Sequence, residues 1–71
     1  MTAEPISTNP VGAELSSLTT ALDELTSRVA AIAEPLVGTV DDALASDLFE
    51  VERALREAIR RLAHARVVRR D

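Results

Sequence analysis

Between residues 15 and 36 the large apolar side chains fall at Leu15, Leu18, Leu22, Leu25, Val29, Ile32 and Leu36. The steps alternate between three and four residues, which is the heptad stripe of an α-helix that packs on another helix. Ser16, Ser17, Thr20, Asp23, Glu24, Ser27 and Glu34 occupy the other side. A second stripe follows at Leu44, Leu48, Val51, Leu55, Ala58/Ile59, Leu62 and Ala65. No segment alternates apolar and polar residues as a half-buried strand does. The pattern predicts an all-α chain with two helices.

Turn chemistry sets the boundaries. Asn9-Pro10 is a helix start, because Asn caps orphan N–H groups and Pro is tolerated in the first turn. Gly12 weakens that turn. Pro35 lacks an N–H and disfavours helical geometry at Glu34, so the first helix ends there. Gly38 can take the left-handed conformation, and Thr39 with Asp42 three residues on resembles a capping box. The expected helices are about 10–34 and 40–68, joined by a connector at 35–39. So short a connector makes them an antiparallel hairpin. Residues 1–8 read as a flexible tail and residues 9–71 as one helical hairpin domain. Glu24–Arg28, Glu52–Arg56, Glu57–Arg60 and Glu57–Arg61 have the spacing of surface ion pairs.

A hairpin of two cylinders covers only the line along which they touch, and these stripes are wider than a line. Thr19, Ala21, Thr26, Ala30 and Ala33 flank the first stripe with small uncharged groups, where a two-stranded coil open to water would carry charge. Phe49 stands one residue off the second stripe and is expected to be largely exposed in an isolated hairpin. Both features predict that a further chain covers the helices, most simply a second hairpin completing a two-fold four-helix bundle. The residues expected to carry that interaction are Leu18, Leu22, Leu25, Val29, Phe49, Leu55, Ile59 and Leu62.

Composition narrows the chemistry. The 71 residues include no Cys, Trp or Tyr, and Phe49 is the only aromatic. Thiolate chemistry and disulfides are therefore absent, and base-stacking platforms have nothing to build on. All eight basic residues are Arg; with so much Ala, this fits a GC-rich bacterial genome. His64 is the only histidine, has Arg60 and Arg61 on its preceding turn, and belongs to no zinc or di-iron spacing. Asp41, Asp42, Asp47, Glu50 and Glu52 form an acidic block that complements the start of a helix and matches no calcium loop. No catalytic, cofactor or metal site is expected, and no small-molecule substrate.

Net charge is −4, yet the C-terminal segment is rich in arginine. Arg60, Arg66, Arg69 and Arg70 could contact a polyanion by neutralising phosphates. The predicted architecture is similar to the plasmid-copy-control helical hairpins that dimerise into four-helix bundles and bind RNA, a resemblance of architecture without a shared motif. A nucleic-acid-associated regulator is accordingly the second functional expectation. The first is a small non-catalytic subunit that self-associates or binds a larger protein through its heptad stripes. The longest strictly apolar run, from Val29 to Ala33, is too short to span a bilayer, and the acidic first residues lack signal-peptide character. A cytoplasmic protein is expected.

Overall fold

The computed structural model describes residues 10–69, with side chains to Val67. It is an antiparallel hairpin of two helices: α1 (Pro10–Ala33) and α2 (Asp42–Arg69), linked by a 3-10 turn at Glu34–Leu36 and a bend. There is no strand among the described residues. The expected all-α hairpin and its boundaries are met to within two residues. The tail at 1–8, the Asn9 cap, Arg70, and the side chains of Val68 and Arg69 lie outside the described part.

The connector follows from local chemistry. Pro35 enters the 3-10 turn, where its missing N–H costs nothing, and Val37 leaves it in an extended conformation. Gly38 then turns the chain with φ +76°. Thr39 and Asp42 close the turn, with a different wiring from the simple capping box. The Asp41 N–H donates to Thr39 Oγ1 at 3.0 Å, and Thr39 Oγ1 donates to the Leu36 carbonyl at 2.7 Å. Asp42 Oδ1 accepts from the Gly38 N–H at 2.7 Å, one residue before the position a capping box would use.

The helices meet along a different line from the stripe of large residues. On α1 the inward positions are Gly12, Thr19, Thr26 and Ala33, beside Leu15, Leu22 and Val29. Thr26 is 4% exposed and Ala33 is fully buried. On α2 the inward positions are Ala45, Glu52 and Ile59, beside Leu48, Leu55 and Leu62. Small side chains let the backbones approach. The two threonines satisfy their own hydroxyls: Thr19 Oγ1 donates to the Leu15 carbonyl at 2.9 Å, and Thr26 Oγ1 to the Leu22 carbonyl at 2.6 Å. A buried threonine therefore leaves no polar group stranded. The product is a slab 56 × 25 × 11 Å. Its least dimension is the thickness of a single helix, and no large side chain is fully buried.

Candidate interaction surface

The seven-residue repeat sorts each helix into columns, and the neighbours of the buried columns define two faces. On the polar side of the seam, Asp23 of α1 shares a shallow groove with Arg56, Ile59 and Arg60 of α2. Asp23 and Arg56 are each one step around the helix from the buried line, in the same rotational sense. In an antiparallel hairpin, equal rotational steps from the two buried lines lead to the same face. The residues one step the other way must therefore share the opposite face.

Those residues are apolar on both helices. On α1, Leu15, Leu22, Val29 and Leu36 are half-buried, and next to them run Val11, Leu18, Leu25 and Ile32, between 43% and 58% exposed. On α2, Leu48, Leu55 and Leu62 are half-buried, and next to them come Leu44 at 50%, Val51 at 45%, and the half-buried Ala58. One face of the slab is thus a continuous apolar sheet of side chains from both helices. Monomeric proteins rarely leave such patches uncovered.

The residues expected to carry an interaction divide between the seam and this face. Leu18 and Leu25 lie open on it. Leu22, Val29, Leu55 and Leu62 sit at its inner edge, shared between the hairpin seam and the open side. Ile59 is in the seam itself, half-buried, and also lines the polar groove. Phe49 corrects the expectation of an exposed aromatic: it is half-buried on the polar side, where it lines a second groove with Glu52, Arg53 and Arg56. Val11, Ile32, Leu44 and Val51 complete the open face. Ile32, Leu44 and Val51 already stood in the sequence stripes; Val11, seven residues before Leu18, could have been found by extending the column.

The arginines are mostly occupied within their own helix. Arg53 Nη1 donates to Glu50 Oε1 at 3.4 Å, and Arg56 Nη2 to Glu52 Oε2 at 2.6 Å. Arg60 pairs with Glu57, whose other oxygen lies 3.5 Å from Arg61 Nε. The Glu52 pair matters most to the fold, because Glu52 is in the seam with a side chain only 15% exposed. The expected Glu24–Arg28 pair does not form: Arg28 is exposed and has no ion-pair partner among the described residues. Of the arginines considered for polyanion contact, Arg60 is thus held by Glu57, and Arg66 is exposed near the end of α2. The side chains of Arg69 and Arg70 are outside the described part.

His64 is exposed, and no group of three or more His, Asp or Glu side chains is placed to hold a metal among the described residues. No helix among the described residues is long and apolar enough to cross a membrane. No protein-family model, curated protein or solved structure matches the chain.

Proposed function

We propose that the protein is a small non-catalytic interaction subunit that self-associates through the open apolar face, two hairpins stacking into a four-helix bundle. One observation carries this reading: Val11, Leu18, Leu25 and Ile32 of α1 lie on the same exposed face as Leu44 and Val51 of α2. Among the described residues nothing lies over them in the helix-thick slab. Burying apolar area yields roughly 25 cal/mol per Å², so a stacked partner removes the largest unfavourable feature of the lone chain. Hot-spot residues are expected among Leu18, Leu25, Ile32 and Val51, flanked by the half-buried Leu22, Leu55 and Leu62.

The test is the solution mass. Light scattering should report at least twice the 7.6 kDa chain mass. Leu25→Asp combined with Val51→Asp should return it to the chain mass with helicity retained, since both side chains are exposed within the hairpin. Wild-type chain at 7.6 kDa with a cooperative melt would overturn the proposal. So would a double variant that stays associated.

A further inference from the structure

The flanks of the apolar face carry a charge pattern that names the occupant and its orientation. On α1 the column just outside Leu18 and Leu25 reads Glu14, Ala21, Arg28, each seven residues apart. On α2 the column just outside Leu44 and Val51 reads Asp47, Ala54, Arg61, again each seven apart. Both are acid, alanine, base, and all six residues are exposed. Glu14, Arg28 and Asp47 have no ion-pair partner among the described residues, and Arg61 only the long 3.5 Å approach to Glu57. Such a column is self-complementary: laid antiparallel on a copy of itself, acid meets base at both ends and alanine meets alanine in the middle. That is the requirement for a two-fold interface, in which residue i meets j and j meets i.

The apolar column obeys the same centre. Turning α1 about a point beside Ala21 sets Leu18 against Leu25 and Val11 against Ile32 of the second copy. Turning α2 about a point beside Ala54 sets Val51 against Ala58 and Leu44 against Ala65, large against small. Ala21 and Ala54 each stand twelve residues from the loop end of their helix, at Ala33 and Asp42, and so lie within about a turn of one level. One axis can therefore serve both helices.

These columns would also fit a stack with both loops at one end, α1 lying on α2 of the second copy. Axial charge decides between the two. In the loop half, residues 22–53, two Arg stand against eight acids, a net −6. In the open half, residues 10–21 and 54–67, four Arg stand against two acids, a net +2. Stacking loop on loop brings the two −6 halves together. Stacking end over end lays each −6 half on the other's +2 half.

We propose that the open face binds a second copy of this chain turned end over end, α1 on α1 and α2 on α2, with Glu14–Arg28 and Asp47–Arg61 pairs formed between copies about a two-fold axis beside Ala21 and Ala54. This rests on the self-association proposed above and adds its geometry.

The chain has no cysteine, so single thiols report orientation cleanly. Ala21→Cys alone and Ala54→Cys alone should each give covalent dimers with a short thiol-to-thiol cross-linker, and Asp47→Cys alone should not. Cross-linking only when Ala21→Cys and Ala54→Cys are mixed would place the loops at one end, overturning this arrangement while leaving self-association intact. A dimer that no combination cross-links would overturn it equally. A chain that stays monomeric would overturn self-association and this geometry together. The charges supply a second readout. Arg28→Glu with Arg61→Glu should weaken association at least about tenfold at low salt, and adding Glu14→Arg with Asp47→Arg should restore it. Undiminished association of the Arg28→Glu, Arg61→Glu variant, or no recovery in the four-fold variant, would remove the flank columns from the interface.

Discussion

Thr26 shows how single residues set the packing. It sits in the seam almost without solvent contact, its hydroxyl spent on the Leu22 carbonyl. Thr26→Val keeps the shape and removes a hydroxyl that had no other task, so thermal melts should place it within about 1 kcal/mol of wild type. Thr26→Leu forces extra volume between two close backbones and should cost ~1–3 kcal/mol. If the larger side chain were accepted without loss, the seam would not be the close one described. Gly38 is a second test at this scale. A Cβ there would meet nothing within 4 Å, so Gly38→Ala isolates the conformational term of φ +76°. Its expected cost is ~1–2 kcal/mol, read as a lower melting midpoint.

The elements themselves were legible in the sequence to within two residues at each described end, because Pro10, Pro35, Gly38 and Thr39 act locally. Which side of α1 turns inward was not. The stripe through Leu15, Leu18, Leu22 and Leu25 and the line through Leu15, Thr19, Leu22 and Thr26 share every second member. Periodicity alone cannot separate them, and side-chain size points to the wrong one for a lone hairpin. The helices close on Thr19, Thr26 and Ala33 because small groups permit near approach and threonine can satisfy itself. Leu18, Leu25 and Ile32 are left outside. Phe49 was misplaced for a related reason: one step off a stripe is either the open face or the polar groove, and only the inward line of α2 decides which. That line includes Glu52, an acid where apolar residues flank it at Ala45 and Ile59. A carboxylate so enclosed gives back in desolvation much of what it gains from Arg56. Glu52→Leu should therefore hold or raise the melting midpoint of the hairpin, and a loss above about 1 kcal/mol would show that the Arg56 pair stabilises more than its burial costs.

At the scale of the whole molecule, the proposed self-association makes the hairpin half of an object. Beside its inward line each helix carries two adjacent apolar columns, and the hairpin seam half-buries only the inner one. The remaining width faces one way, bordered on both helices by the acid–alanine–base columns. Salt should act in two directions on such an assembly: screening weakens the flank pairs, whose reach is about 10 Å at 0.1 M, whereas the apolar contact persists. Association is thus expected to loosen modestly between low and moderate salt without being abolished, as sedimentation across a salt series would show. Complete dissociation at moderate salt would place the charges, rather than the leucine columns, at the centre of the interface.

The most direct test of the proposal that a second copy covers the apolar face is the thermal midpoint of the wild-type chain measured over a hundredfold dilution series. Folding coupled to association makes that midpoint fall as the chain is diluted, and the apolar face predicts such a fall. A midpoint that stays fixed across the series, in a particle of 7.6 kDa, would contradict it.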